Sequence, residues 1–244
     1  MLFYLDRFQD DFLAALTFLG AIATALLVGI CFHEFSHAFA ADRLGDRLPR
    51  RMGRLTLNPL RHLDPAGTVL MVLIGFGWGK PVPVNPNNTK NPKAALAITA
   101  AAGPLSNFVV AALTGLAIRL DLVPWISPFN EVAFFFLSSG GWTLEEYAGL
   151  YLSTVTLFSI ILGVFNLLPI APLDGFKVAV GLLPSDLSRS FARLERYGML
   201  ILLGGLFLLP LLTAGQVSLF LIMEPVIRLL ASVFAGVDQE VFVA

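Results

Sequence analysis

Charged residues are scarce in this sequence. Only 14% of its 244 residues are Asp, Glu, Lys or Arg, whereas 57% are hydrophobic and the mean hydropathy is +0.79. Soluble domains carry about 25% charged residues, because a surface that faces water must remain polar. The shortage of charge therefore excludes an ordinary soluble domain and predicts a chain solvated largely by lipid.

Cysteine and basic clusters are equally sparse. The single cysteine, Cys31, excludes an internal disulfide and a metal site built from several thiolates. The formal net charge is −1, and no basic run is interleaved with aromatic residues, so nothing points to nucleic acid as a partner. Asp6, Asp10 and Asp11 precede the first apolar run, where a secretory signal would be basic, so we expect that run to be retained.

Long apolar runs are what the sequence has instead. A helix needs about 20 mostly apolar residues to cross the hydrocarbon core of a bilayer. Five segments approach or exceed that length: Phe12–Ala40, Ala94–Leu120, Tyr147–Pro169, Tyr197–Leu212 and Val217–Phe234. We predict an all-α polytopic membrane protein with about five transmembrane helices, forming a single membrane-embedded domain over residues 1–244.

The stretch from Asp64 to Pro86 is apolar but too short and too broken to face lipid. Its second half contains glycines and prolines at Gly75, Gly77, Gly79, Pro81 and Pro83. Irregular backbone at membrane depth persists only where protein or a water-filled cavity covers it. We predict a re-entrant loop or a short β-hairpin that enters and leaves on one side, with an interfacial loop as the alternative.

The distribution of positive charge predicts the orientation. Six arginines lie between Arg43 and Arg61, and Lys177 begins another basic loop after the third segment. No Lys or Arg occurs between Asp121 and Glu146. Since cytoplasmic loops carry the excess of Lys and Arg, the C-terminal ends of the first and third segments should face the cytoplasm.

Three ionisable residues, His33, Glu34 and His37, interrupt the first apolar segment. Residues four apart share one face of a helix, so two imidazoles can bind one zinc ion with the glutamate beside a metal-bound water. A chance match is the alternative, but ionisable groups inside a spanning helix are costly and usually functional. We predict a site for one Zn²⁺ per chain.

A catalytic zinc site needs a third protein ligand and one open position. The candidates are His62, Asp64 and Asp174, because no glutamate occurs between Glu34 and Glu131. Asp174 is favoured, since it lies at the cytoplasmic end of the third segment, at the depth of the two histidines. A solvated carboxylate at a helix end is the alternative for Asp174. A solvated loop histidine is the expected state of His62, with a role in supporting the metal ligands or in binding substrate as the alternative.

The combined pattern resembles the site-2 protease family of intramembrane zinc metalloproteases, in particular the compact prokaryotic branch without PDZ or CBS domains. The similarity rests on His33–His37 and on the Leu-Asp-Gly motif that ends at Gly175. It extends through Arg51–Pro65, Gly77–Pro86 and Ala102–Asn107.

This resemblance implies a role for each matching residue. The zinc ligands would be His33, His37 and Asp174, and the general base and proton shuttle would be Glu34. The residues that contact substrate would be Asn166, Asn107, Gly77 and Gly79. The substrate would be a transmembrane segment of another protein in a prokaryotic cell membrane, cut near the cytoplasmic side, and it could pair with the re-entrant edge by β-augmentation. The oligomeric state stays open.

Three other functions would use parts of the same pattern. A zinc transporter would use the same polar residues, but these converge on one site instead of lining a path. A catalytically silent membrane chaperone would not need Glu34 as a base. A membrane-anchored peptidase for soluble substrates would need a larger soluble cleft than these loops provide.

The orientation leads to a first prediction. A reporter fused near Trp125 should lie outside the cytoplasm, because the surrounding loop has no Lys or Arg. Alkaline phosphatase, which is active only outside the cytoplasm, measures this directly. The same enzyme fused after Arg51 should be inactive, and the opposite pair of results would reverse the topology.

Overall fold

The computed structural model describes residues 12–65, 67, 79–129 and 141–237. Helices dominate these residues, and they contain no extended strand. We number the helices α1 Phe12–Leu44, α2 Leu48–Arg51, α3 Pro92–Arg119, α4 Leu144–Asn166, α5 Asp174–Leu182, α6 Ser185–Leu212 and α7 Leu219–Ala235. Single 3₁₀ turns lie at Pro59–Arg61 and Pro86–Asn88.

Four of these helices, α1, α3, α4 and α6, are long and apolar enough to cross a membrane. With 17 residues, α7 lies at the lower end of the range of about 17–25 that spans a bilayer. The prediction of an all-α polytopic membrane protein is therefore confirmed, with four clear spans and a fifth apolar helix of borderline length.

The start of α6 was predicted too late. Helical structure begins at Ser185 instead of Tyr197, and it passes through a 3₁₀ turn at Arg193–Tyr197 and a π turn at Gly204–Leu208. Its first turns are polar, so an apolar window misses them. Only 11% of its most apolar window is buried within the molecule, against 39–61% for the other three spans, so α6 is the span least covered by protein.

The ends of the helices follow from capping residues. Thr143 and Glu146 form a capping box at the start of α4, in which each side chain bonds the backbone N–H of the other. The side chain of Asn91 accepts from the Ala94 N–H at the start of α3. Gly236 ends α7 in the left-handed conformation, which glycine adopts without strain. These caps satisfy backbone groups that would otherwise be left unpaired at helix ends.

The centre of the bundle is α3, which contacts α1, α4, α5 and α7. Its small residues allow close approach, as at Ala111, which is fully buried with Leu157 and Ile160 of α4 and with Met223 of α7. Small residues at helix interfaces are typical of membrane bundles, where packing has to replace the hydrophobic effect between helices. The position of α3 therefore sets the positions of the helices around it.

The two ends of the predicted re-entrant stretch lie side by side. Leu63 and Gly79 form an antiparallel bridge, and the Lys80 N–H donates to the His62 carbonyl over 2.6 Å. The two ends of the stretch are therefore adjacent, as expected if it enters and leaves the membrane on the same side. Residues 66 and 68–78, which include Gly75 and Gly77, lie outside the described residues, so the loop or hairpin itself stays a prediction.

Two buried charges hold the residues that follow this stretch, 79–85, which we call the exit leg. The Arg54 guanidinium donates to the carbonyls of Arg61 and Lys80, one on each side of the stretch. The Asp46 carboxylate, which is fully buried, accepts from the N–H groups of Leu48 and Asn85. The exit leg is thereby fixed against the C-terminal end of α1.

A substitution at Asp46 tests this attachment. Asp46→Ala should remove the hydrogen bonds from the partly buried N–H groups of Leu48 and Asn85, at a cost of about 0.5–1.5 kcal/mol for each. In a chain of this size, each kcal/mol lowers the melting temperature by roughly 2–4 °C, which a thermal unfolding curve in detergent measures. Asp186→Ala is the control, because its exposed pair with Arg189 contributes little. Equal melting temperatures for the two variants would contradict the role of Asp46.

Candidate metal centre

The structure brings three of the predicted residues together at one buried point. His33 and His37 lie one turn apart on α1, and their Nε2 atoms are 2.9 and 3.1 Å from Oδ2 of Asp174. The three residues are only 7–8% exposed. Among the described His, Cys, Asp and Glu residues, this is the one group of three or more that could hold a metal ion.

Asp174 reaches the histidines because the chain turns sharply after α4. The helix ends at Asn166, and Asp174 is the first residue of α5. A Cβ atom on Gly175 would lie 2.1 Å from the carbonyl oxygen of Leu167, so only glycine allows this approach. The Leu-Asp-Gly motif therefore places the carboxylate by packing the start of α5 against the end of α4.

The electrostatics keep Asp174 ionised. Burial alone would raise the pKa of its carboxyl, but hydrogen bonds and positive charge from the protonated forms of His33 and His37 outweigh burial and hold that pKa below its usual range. The Lys177 ammonium lies 4.0 Å from Oδ1 of the same carboxylate. An ionised carboxylate is the form that a divalent metal ligand requires.

Each histidine has a second contact through its other ring nitrogen, and both contacts come from α3. Nδ1 of His37 lies 2.7 Å from the backbone carbonyl oxygen of Thr99. Nδ1 of His33 lies 3.0 Å from the side-chain amide of Asn107, which is fully buried. In metal sites a ligating imidazole commonly uses its second nitrogen in this way, which fixes the ring and its tautomer.

The donor set fits a zinc ion. Because the Thr99 carbonyl can only accept, Nδ1 of a neutral His37 carries the hydrogen and Nε2 presents a lone pair toward the Asp174 carboxylate. In this state Nε2 of His37 and Oδ2 of Asp174 are both acceptors and lie 3.1 Å apart, an arrangement that suits a cation bound by both atoms. Gly103 provides space for an ion beside the two imidazoles, because a Cβ atom at this position would lie 2.5 Å from Nε2 of His37 and 2.6 Å from Nε2 of His33.

Glu34 lies next to this centre and is half-buried. Its Oε2 accepts a hydrogen bond of 3.0 Å from the backbone N–H of Val82, in the exit leg. The carboxylate is therefore oriented by the residues that follow the re-entrant stretch. Gly79, at the start of that leg, passes close to it, because a Cβ atom on Gly79 would be 3.6 Å from Oε1.

The residues predicted to contact substrate are found in different settings. Asn166 is half-buried, and its amide donates to the Leu162 carbonyl one turn earlier in α4. Gly79 is bridged to Leu63, and Gly77 lies outside the described residues. Asn107 is fully buried beside His33. Substrate contact stays a prediction for all four.

The other two candidates for third ligand lie outside the cluster. The expectation of a solvated His62 is wrong, because His62 is fully buried and its Nε2 contacts the Thr56 carbonyl oxygen over 2.7 Å. Asp64 accepts from the N–H of Gly67 over 2.9 Å. Both residues shape the approach to the re-entrant stretch.

Two residues that build this site were not identified from the sequence. Thr99 acts through its backbone carbonyl, which no pattern of side chains reveals. Gly103 acts by having no side chain, and its only signal was its place in the Ala-Gly-Pro-Leu-Ser-Asn motif that ends at Asn107.

Comparison with known proteins agrees with this description. The sequence profile of Peptidase family M50 matches residues 132–211, which include Asn166 and Asp174. The chain is 33% identical over 222 residues to YwhC of Bacillus subtilis, across 88% of this chain and 94% of that protein. It is 30% identical over 201 residues to Rip2 of Mycolicibacterium smegmatis (78% and 69%) and 31% identical over 191 residues to Rip2 of Mycobacterium tuberculosis (76% and 66%). No solved structure matches the chain.

All three relatives are named as zinc metalloproteases. Together with the apolar helices, they define the present chain as a multi-pass membrane zinc metalloprotease. The chain belongs to peptidase family M50, the family of the site-2 proteases. The predictions of a metalloendopeptidase and of zinc as its cofactor are thus confirmed.

The ligand set can be tested by metal content. Asp174→Ala should reduce bound zinc well below one ion per chain, because two histidines alone leave the site one protein ligand short of the usual three. Zinc in the purified protein is measured by mass spectrometry of the element. Asp64→Ala is the matched control and should retain zinc. Full zinc in Asp174→Ala, with loss in Asp64→Ala, would transfer the third ligand to Asp64.

Proposed function

We propose that this metalloprotease hydrolyses peptide bonds in or near transmembrane segments of other membrane proteins. His33, His37 and Asp174 hold the zinc ion, and Glu34 is the general base. The observation that carries the proposal is the burial of these ligands within a bundle of apolar helices. A substrate therefore has to bring its peptide bond to the site from the bilayer or from its edge.

The chemistry divides between zinc and Glu34. Zinc held at this site supplies Lewis-acid activation of a water molecule and of the scissile carbonyl. The Glu34 carboxylate takes a proton from that water and delivers it to the nitrogen of the leaving amine. The Val82 N–H holds Oε2 of Glu34, which fixes the carboxylate and leaves proton transfer to Oε1.

A transmembrane substrate has to expose its backbone before it can be cut, because peptide groups within a helix are already hydrogen-bonded. Asn166 is suited to bind the exposed backbone. It lies at the end of α4, eight positions before Asp174, and its amide offers both a donor and an acceptor. Its bond to the Leu162 carbonyl uses one of the two N–H groups of the amide, so the second N–H could donate to a substrate carbonyl and the oxygen could accept from a substrate N–H.

The exit leg is the second candidate for substrate pairing, and its hydrogen-bonding groups restrict how pairing could occur. The N–H of Lys80 is bonded to the opposite end of the re-entrant stretch, and that of Val82 is bonded to Glu34. Two further members, Pro81 and Pro83, have no N–H. An extended substrate beside this leg would therefore meet mainly carbonyl acceptors.

The site is proposed to open toward the cytoplasm. The histidines lie in the C-terminal part of α1, which is followed by the arginine-rich loop Arg43–Arg61. Such loops are retained on the cytoplasmic side. A site near that face has a short path for water and for the release of the cleaved segment.

The test is a comparison of new protein termini. Membranes from cells that express the wild type should contain new protein termini inside the spanning segments of other membrane proteins. Membranes from cells that express Glu34→Gln should lack these termini, because the variant has no base to accept the proton. The glutamine keeps the shape of the side chain, so zinc content should stay at the wild-type level. Mass spectrometry identifies the termini and thereby the substrates.

Glu145→Gln is the matched control, since Glu145 is exposed at the opposite end of α4 from Asn166. It should yield the same termini as the wild type. Termini that depend on Glu34 but lie only in soluble loops would instead indicate a membrane-anchored peptidase for soluble substrates. Equal cleavage by Glu34→Gln would refute the assignment of the base.

A further inference from the structure

Asn107 has no task in the mechanism described above, although it lies directly beside a proposed zinc ligand. Its side chain is fully buried on α3, and its amide is 3.0 Å from Nδ1 of His33. A side chain with no exposed surface offers nothing for a substrate to touch. Its position instead favours an action on the imidazole of His33.

The neighbouring ligand shows what such an action requires. The Thr99 carbonyl is 2.7 Å from Nδ1 of His37 and can only accept, so it selects the tautomer with hydrogen on Nδ1. That tautomer leaves the lone pair of Nε2 free for a metal ion. For His33 to bind the same ion through Nε2, it also needs an acceptor beside Nδ1.

Asn107 can provide this acceptor, because an amide has an oxygen and a nitrogen at nearly equivalent positions. Which of them faces His33 has to be decided from hydrogen bonding. With Nδ2 toward His33, Oδ1 is buried without a hydrogen-bond partner among the described residues. Among the described residues, no other group hydrogen-bonds this amide, so the requirement of His33 decides its orientation.

The positions of these groups on α3 agree with a common purpose. Thr99, Gly103 and Asn107 are spaced four residues apart, so they lie on one face of the helix. Thr99 contacts His37, Gly103 leaves room beside both Nε2 atoms, and Asn107 contacts His33. One face of α3 thus supports both imidazoles.

We propose that Asn107 is a positioning residue for zinc: its Oδ1 accepts a hydrogen bond from Nδ1–H of His33 and holds the tautomer that presents Nε2 to the metal. This inference rests on the proposed ligand role of His33. It goes beyond that role, because it assigns the group that makes His33 competent to bind. It also replaces substrate contact as the role of Asn107.

The experiment measures zinc affinity by competition with a chelator, on the full chain in detergent. Asn107→Leu keeps a similar volume but has no acceptor, and it should bind zinc about 10–100-fold more weakly, as for other partners of metal ligands. Asn107→Asp keeps an acceptor oxygen and has no N–H donor, and it should retain affinity within a few-fold of the wild type. Rescue by aspartate distinguishes acceptance from donation.

Two controls separate positioning from general damage. Thr154→Val removes another fully buried polar group, on α4, and should leave zinc affinity unchanged. Asn107→Ala repeats the loss of the acceptor without the branched side chain, so it decides the question if Asn107→Leu does not fold.

The outcomes that overturn the inference are distinct from those that overturn the ligand assignment. Wild-type zinc affinity in both Asn107→Leu and Asn107→Ala, with loss of zinc in His33→Ala, would refute the role of Asn107 and leave His33 as a ligand. Equal weakening in the leucine and aspartate variants would show that donation by Asn107 is what matters. Full affinity in His33→Ala would refute the ligand assignment itself.

Discussion

The structure depends on bringing two imidazoles and one carboxylate to a single buried point among apolar helices. Each of these groups is costly to bury unless its hydrogen bonds and charge are satisfied. His33 and His37 obtain partners from α3, and Asp174 obtains the two histidines and a nearby lysine. The central position of α3 and the sharp turn before α5 serve this convergence, and the exit leg holds the neighbouring Glu34.

Packing and chemistry are joined most closely in α3. Its small residues allow neighbouring helices to approach, and at Gly103 the same lack of a side chain leaves space beside the two Nε2 atoms. A larger residue there would fill both the helix interface and the space beside the two Nε2 atoms. The small residues of this helix therefore cannot be assigned either to folding alone or to catalysis alone.

Much of this arrangement was predictable from the sequence, because its signals are local. The spacing of His33 and His37 on an apolar helix, and the place of Asp174 at the cytoplasmic end of the third segment, both follow from helix geometry and hydropathy. The roles of Thr99 and Gly103 were not predictable, since one acts through its backbone and the other through an absent side chain. His62 was misjudged because a basic loop gives no sign that its backbone folds over the histidine and buries it.

The distance along the chain between the ligands has a consequence for the protein as a polymer. His33 and Asp174 are 141 residues apart in sequence, yet Nε2 of His33 lies 2.9 Å from Oδ2 of Asp174. An ion that binds both closes a loop of that length, and closing long loops removes much of the conformational freedom of an unfolded chain. The single cysteine rules out an internal disulfide. A zinc ion held by the proposed ligands would therefore act as a long-range cross-link, and metal loading would contribute to the stability of the fold.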